Sequence, residues 1–344
     1  MRATAEISPG ISTGVPPWIN RLFTGLLIYV LVCGAWMLTG LGGERVRYYV
    51  GLLGDSPACL AALIVTIAAT RRMEHGTTRT AWRCLSIALG IYFVGTSIGV
   101  NSWLHGQDPF PGPADFCYLA FYPFFLAAVS LMIRAAAVKV RWAQFLLDAL
   151  IIVVGFGAFF WFLIIRPSAS SARIDELKFV LSQVYIALNC ILVLSLGVLL
   201  VAGGNDTHNR TVPLLLSVGF TTMLLGDIIW SVAKISGHYL AGDLQDVMYV
   251  ACYVPLAAAG REQMRLNAGA GAGSAGSGPV VTKSLAQSLP FAAMLAALLV
   301  LVSFSSGGIG NPATVMTIIV FGLALLVMVR QALVMREDAR RMTR

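Results

Sequence analysis

Charged side chains are scarce in this sequence, and their scarcity excludes a water-soluble fold. Asp, Glu, Lys and Arg make up 12% of the 344 residues, whereas a soluble domain carries about 25% charged residues. Hydrophobic residues make up 58% and fall into runs of roughly 20 residues, the length that a helix needs to cross a bilayer. Because backbone groups in lipid must be hydrogen-bonded within the span, the sequence predicts an all-α, polytopic membrane protein.

Catalytic and cofactor-binding motifs are also lacking. The six cysteines form no CxxC pair, and the four histidines all fall in connecting segments, so we expect no disulfide framework, zinc site or haem. The chain contains no GxxxxGK[ST] or HExxH sequence, which are fingerprints of common soluble enzymes. We therefore expect a non-catalytic protein without a cofactor.

Ten apolar runs set the predicted organisation. Their approximate bounds are 22–41, 48–70, 82–104, 114–133, 143–165, 179–202, 212–233, 244–260, 284–305 and 313–329. The first eight form a predicted body (22–265), which follows a cytoplasmic tail (1–21). A Gly/Ser-rich flexible linker (266–283), a two-span hairpin (284–329) and a basic juxtamembrane helix (330–344) come after it.

The basic residues predict the orientation. If the N-terminus is cytoplasmic, 18 of the 24 Lys and Arg residues lie on the inner side and 6 on the outer side. Basic residues are retained on the cytoplasmic side, so we expect both termini there, in a bacterial inner membrane. The net charge of +8 then reflects this bias and the anionic lipid surface, and no nucleic-acid partner is expected.

An internal repeat relates the two halves of the body. A shift of 131 residues places Gly95 on Gly226, Asp115 on Asp246 and Tyr118 on Tyr249. Spans 3–4 therefore match spans 7–8 in the same orientation, which predicts two parallel units, about 22–134 and 143–265, related by an axis along the membrane normal.

Acidic residues at the predicted outer level are the first candidates for a site. Asp55, Asp115, Asp227 and Asp246 all fall there, and ionisable groups within spans suggest function. Asp115 and Asp246 also lie where a helix begins, so helix capping is an alternative role. Asp227 lies too deep in its span to cap it, and its carboxylate must find a donor or take up a proton.

Two pairs of tyrosines extend this pattern. Tyr118 and Tyr122 follow Asp115 at helical spacing, and Tyr249 and Tyr253 follow Asp246 in the same way. Each stripe is a candidate wall of a ligand pocket between the two units. The alternative is an aromatic belt at the membrane interface, which is also the simplest interpretation of Trp103 and Trp230.

These motifs resemble a known family. Pro113-Ala-Asp-Phe-Cys-Tyr-Leu-Ala-Phe-Tyr-Pro123, then Leu147-Asp148-Ala-Leu-Ile, then Gly226-Asp227-Ile-Ile-Trp230 are similar to the multi-span sensor region found ahead of bacterial diguanylate cyclase and cyclic-di-GMP phosphodiesterase domains. The likeness covers about residues 20–344. No GGDEF or EAL sequence occurs, so the resemblance implies a sensory or signal-relay module, truncated or stand-alone, and not the catalytic activity.

The leading hypothesis is accordingly a membrane sensor that passes an outer or intramembrane cue through its C-terminal helix. The lipid bilayer is the expected environment, and a cytoplasmic signalling enzyme and a second copy of the chain are the candidate partners. A secondary transporter of a small solute is the alternative, since repeated units with acidic residues suit transport as well. A membrane-embedded enzyme is a third, weaker alternative because no convergent catalytic groups are evident.

Overall fold

The computed structural model describes residues 14–107, 110–135, 176–202, 207–235 and 240–269, with four helical positions between 147 and 154. Within these residues the chain is helical and contains no strand. The helices with described ranges are α1 (Pro17–Thr39), α2 (Glu44–Arg71), α3 (Thr77–Leu104), α4 (Pro113–Ala135), α5 (Glu176–Ala202), α6 (Thr207–Ile235) and α7 (Leu244–Gly269). The all-α prediction is confirmed for this part of the chain.

Five of the described helices are long and apolar enough to cross a membrane. They comprise α1, α2, α3, α4 and the Thr211–Trp230 stretch of α6. This agrees with a multi-pass membrane protein. The predicted spans 284–305 and 313–329, the linker and the terminal helix lie outside the described residues, as do Asp148 and nearly all of span 143–165. The count of ten spans stays a prediction.

Local sequence signals account for where several helices begin and end. α1 and α4 begin at Pro17 and Pro113, because proline lacks the N–H that the first helical position leaves unbonded and its fixed φ suits a helix. α1 ends at Gly40, whose φ of 66° places it in the left-handed region that glycine favours.

α2 is the central helix of the described bundle. It packs against α1, α3 and α7, and its buried face carries mostly small side chains, including Ala58, Cys59, Ala62 and Ala69. Small residues allow helix backbones to approach closely. At Gly51 the approach is closest, since a Cβ there would overlap the backbone nitrogen of Gly242, which precedes α7.

Helices α3 and α4 form one hairpin, helices α6 and α7 form a second, and α5 connects the two. α3 packs along α4, α6 packs along α7, and α5 contacts both α4 and α6. An aromatic cluster joins the two hairpins, with the rings of Phe125 and Phe220 centred 4.0 Å apart and Phe121 stacked on Phe125 at 5.6 Å. These rings belong to the fully buried core, so the hairpins share one hydrophobic interior.

Candidate functional site

A cavity of about 210 Å³ lies between six helices at one end of the bundle. The N-terminal halves of α2, α4, α5 and α7 and the C-terminal halves of α3 and α6 line it. The Phe121–Phe125–Phe220 cluster lies farther along the same helices, with Phe121 packed 5.4 Å from the Tyr92 ring of the cavity wall. The cavity is therefore backed by rigid apolar packing.

Four carboxyl groups line this cavity, and no described lining residue is Lys, Arg or His. They belong to Asp55, Asp115, Asp227 and Asp246, each on a different helix. The last three are each only 9% exposed. A buried carboxyl group is unfavourable unless it is hydrogen-bonded or paired with a cation, so the contacts of each group define the site.

Asp115 combines a capping contact with a contact across the bundle. Its Oδ2 accepts a 2.6 Å hydrogen bond from the Gly112 backbone N–H, the reach-back contact of a residue in the first helical turn. Its Oδ1 accepts a 2.6 Å bond from the Tyr185 hydroxyl of α5. The two roles that the sequence left open thus coexist, one for each oxygen.

Asp246 makes a similar contact at the start of α7, with a donor that lies one residue further back. Its Oδ2 accepts a 2.6 Å hydrogen bond from the backbone N–H of Gly242. The neighbouring Asp243 does not cap with its side chain; it forms an ion pair with Arg47 of α2 at 2.6 Å. Arg47 also donates to the Gly242 carbonyl at 3.1 Å, so this guanidinium is engaged at the α2–α7 contact.

Asp227 lies at the centre of a polar network. Its Oδ1 accepts a 2.6 Å hydrogen bond from the Tyr249 hydroxyl, and its Oδ2 accepts from the side-chain amide of Asn189. The same amide nitrogen donates to the Tyr122 hydroxyl at 2.8 Å. The network links α4, α5, α6 and α7, and it supplies the donor that the buried position of Asp227 requires.

Asp55 is the least satisfied of the four. Its Oδ1 is shielded from solvent and has no hydrogen-bond partner, although the residue lines the cavity. Its hydrogen-bonding neighbour is the hydroxyl of Tyr253 on α7. The carboxyl group of Asp55 is therefore satisfied by protein donors at only one of its two oxygens at most.

The tyrosine rings of the two hairpins are held by equivalent glycines. A Cβ at Gly95 would lie 2.9 Å from Cε1 of Tyr118, and one at Gly226 would lie 3.1 Å from Cε1 of Tyr249. Glycine at these positions lets each ring pack closely against the neighbouring helix. Both rings consequently reach the cavity.

The structure brings together six of the seven residues that the sequence singled out as sensing candidates. Those that line the cavity are Asp115, Tyr118, Tyr122, Asp227, Asp246 and Tyr249. Tyr253 is buried at 2% exposure but is not part of the lining; it lies behind the wall, beside Asp55. Whether the six residues bind a ligand stays a prediction.

Trp103 and Trp230 differ from plain interfacial anchors. Both are half-buried and line the cavity. The Trp230 ring packs edge-on against Phe110 of the α3–α4 loop, with centroids 4.9 Å apart. Both side chains therefore pack against other parts of the protein. An aromatic belt at the membrane interface does not require such packing.

Sequence reasoning missed Tyr185, Asn189 and Tyr92. Tyr185 and Asn189 lie one helical turn apart in a mostly apolar run, and their shared helix face was the available signal. Tyr92 lies one turn before Thr96 and two turns before Gly99 on the cavity face of α3. Asp55 is one of the four acidic residues at the predicted outer level, but nothing in the repeat linked it to the other three.

Among the described residues, no three His, Cys, Asp or Glu side chains converge closely enough to hold a metal ion. The carboxyl groups instead surround a volume, and each has its own protein contacts.

Comparison of the chain with protein-family models, with curated proteins and with solved structures gives no match. The function must therefore be argued from the geometry of the cavity.

Proposed function

We propose that this protein is a non-catalytic membrane sensor that binds a small molecule in the cavity and relays its presence to a cytoplasmic signalling partner. The observation that carries the proposal is that six helices contribute to one cavity of about 210 Å³, into which four aspartates and several aromatic residues project from different helices. A ligand that contacts all six can change how they pack against each other. Such differential contact is what a signal requires.

The two hairpins provide the element that a ligand can bias. We infer that α3–α4 and α6–α7 are copies of one unit, as the shift of 131 residues predicts. The glycine–tyrosine contacts at Gly95 and Gly226 are equivalent under this shift and support the inference. Asp115 and Asp246 also each accept a 2.6 Å bond from a glycine N–H that precedes them, three residues back for Asp115 and four for Asp246. The cavity lies where the units meet, so occupancy can alter their relative position.

The predicted topology gives this signal a direction. With both termini in the cytoplasm of a bacterial cell, the cavity opens towards the outer side of the inner membrane. Ten spans then place the last helix and its basic tail on the inner side. The resemblance to sensor regions of cyclic-di-GMP enzymes is in keeping with output through that tail, to a separate enzyme or within a homodimer.

A transporter of a small solute is the alternative function. Transporters usually bind their substrate near the midplane, between helices that are broken there. Here the cavity lies at one end of the bundle, and α2, α4 and α7 each continue as single helices past it. This geometry favours sensing over transport.

Ligand screening with a blocked variant tests the proposal. Thermal unfolding of the purified full chain is measured with a library of small solutes. Ala114→Trp fills the cavity from α4 and should abolish stabilisation by any true ligand. Phe116→Trp adds bulk on the same helix at a residue that is 79% exposed, and should leave the response intact.

The same ligand is then offered to proteoliposomes. A sensor binds it without accumulating it in the lumen. Accumulation would support the transporter, and the lack of any ligand that distinguishes the two variants would contradict a binding function.

A further inference from the structure

We infer that the ligand of this cavity is a small organic cation, such as an amine, which is held by the aspartates and by the aromatic walls. The inference rests on the proposed ligand-binding function and specifies its chemistry. It follows from the charge, the wall composition and the volume of the cavity, together with one carboxyl oxygen that has no partner.

The charge of the cavity is unbalanced. Four aspartates face it, and none of its described lining residues is basic. Arg47 is committed to Asp243 and to the Gly242 carbonyl at the α2–α7 contact. A positively charged ligand would supply the pairing that buried carboxylates need.

The walls suit an organic cation better than a bare proton or a metal ion. Six aromatic residues of the helices form much of the lining besides Tyr122: Tyr92, Trp103, Tyr118, Tyr185, Trp230 and Tyr249. Aromatic faces attract ammonium groups through the ring quadrupole, and Trp does so most strongly. Protons would neutralise the aspartates without needing either an aromatic wall or an open volume.

Asp55 identifies the direct contact. The other three aspartates each accept a hydrogen bond from a protein donor at 2.6 Å, whereas Asp55 Oδ1 accepts none. An ammonium group in the cavity would meet Asp55 where its side chain lines the wall, and its charge would stabilise a carboxylate whose Oδ1 has no protein donor. Asp227 and Asp115 then contribute charge across the cavity while they stay tied to Tyr249 and Tyr185.

The volume limits the size of the cation. About 210 Å³ lies below the roughly 300–1,000 Å³ of pockets for drug-sized ligands. Small amines fit this limit. Peptides and lipid headgroups with attached chains exceed it.

Two pairs of ligands of matched shape test the inference on the full chain in detergent. Choline is compared with its uncharged carbon isostere, dimethylbutanol, and putrescine is compared with butanediol. Binding is measured by calorimetry and by thermal stabilisation, at constant ionic strength set with potassium chloride. We expect at least one cation to bind and its neutral counterpart not to bind.

Two variants of α2, each of which replaces one carboxylate by the corresponding amide, are then compared. Asp55→Asn should weaken cation binding by about tenfold or more, as expected for loss of a hydrogen bond to a charged group. Glu44→Gln removes a carboxylate from the exposed start of the same helix and should leave the affinity unchanged.

The outcomes separate this inference from the proposed function. Failure of both cations to bind, equal binding of the neutral isosteres, or equal stabilisation by potassium alone overturns the organic-cation inference. A neutral or anionic solute that binds wild type but not Ala114→Trp would leave the sensor proposal standing while refuting the cation. Equal loss in Asp55→Asn and Glu44→Gln would also refute it, since a surface charge would then explain the effect.

Discussion

Asp227 shows how one buried carboxyl group organises its surroundings. Its two oxygens accept from Tyr249 on α7 and from Asn189 on α5, so a residue of α6 ties two neighbouring helices together. Asn189 in turn donates to Tyr122 on α4. A substitution that removes the Asp227 carboxylate leaves the Tyr249 hydroxyl and the Asn189 amide without this acceptor in the interior. The free-energy cost of those unpaired donors determines how strongly the substitution destabilises the protein.

Replacement of Asp227 should therefore depend on what the new side chain can accept. Asp227→Leu leaves the Tyr249 hydroxyl and the Asn189 amide unsatisfied, at about 1–3 kcal/mol for each buried donor, and should lower the thermal unfolding temperature clearly. Asp227→Asn retains one acceptor oxygen and should fold with a smaller loss. Leu225→Ala, at a side chain that is 48% exposed, is the control. Equal stability of Asp227→Leu and the parent would refute the network.

Gly95 and Gly226 predict a second effect at the scale of single residues. An added Cβ at Gly95 lies 2.9 Å from the Tyr118 ring, too close for contact without displacement, so Gly95→Ala should destabilise by about 1–3 kcal/mol. Gly226→Ala, at 3.1 Å from Tyr249, should cost less.

The control for both is Gly90→Ala on α3. Its Cβ meets only Leu63 Cδ1 at 4.0 Å, and alanine is favoured over glycine in a helix by about 1 kcal/mol. Unfolding in detergent should show the opposite sign for Gly90→Ala and Gly95→Ala. The same sign for both would mean that helix propensity outweighs the ring contact.

At the scale of whole helices, the α2–α7 contact depends on backbone approach more than on charge. The Arg47–Asp243 pair is about a third exposed, at 34% and 29%, and such pairs contribute only about 0–1 kcal/mol. Gly51 is packed directly against Gly242. Steric fit should therefore dominate the stability of this contact.

Gly51→Ala should destabilise the protein more than Arg47→Gln does. Backbone atoms cannot move aside as a flexible side chain can, so we expect a loss of at least about 1–3 kcal/mol, and also weaker ligand binding because Gly51 and Asp246 both line the cavity. Gly25→Ala on α1 has open space around its Cβ and serves as the control. If Arg47→Gln had the larger effect, charge would hold the two helices.

The sequence predicted helices better than it predicted their ends. The span predicted at 114–133 corresponds to α4, Pro113–Ala135, because the Gly112-Pro113 start is a strong local signal. The span predicted at 244–260 ends nine residues before α7 does. Hydropathy falls at Arg261, but Arg261, Glu262 and Gln263 are good helix formers, so the helix continues after the apolar run stops.

The sequence revealed those residues of the candidate site that occur in both copies of the repeat. Asp115, Tyr118 and their counterparts Asp246 and Tyr249 stand out because two copies align. Tyr185 and Asn189 fall opposite Gly54 and Ala58 under the same shift, so the comparison of units cannot reveal them. Their role arises from contact between units, which is a property of the assembled bundle.

At the scale of the whole molecule, the orientation decides which compartment the cavity samples. The lining residues lie at the ends of α3 and α6 and at the starts of α4 and α7. The basic count of 18 against 6 predicts that those ends lie outside. The cue would then be extracytoplasmic, and the response would leave through the opposite face.

Labelling of single cysteines in intact cells checks this orientation, in a background where the six native cysteines are replaced. Gln107→Cys in the exposed α3–α4 loop should react with a membrane-impermeant maleimide. Glu74→Cys in the exposed α2–α3 loop and Ser274→Cys in the Gly/Ser-rich segment should react only after permeabilisation, since positive-inside retention holds both in the cytoplasm. The reverse pattern would turn the acidic cavity towards the cytoplasm. A cytoplasmic solute would then be the cue, and a relay across the membrane would no longer be needed to explain its detection.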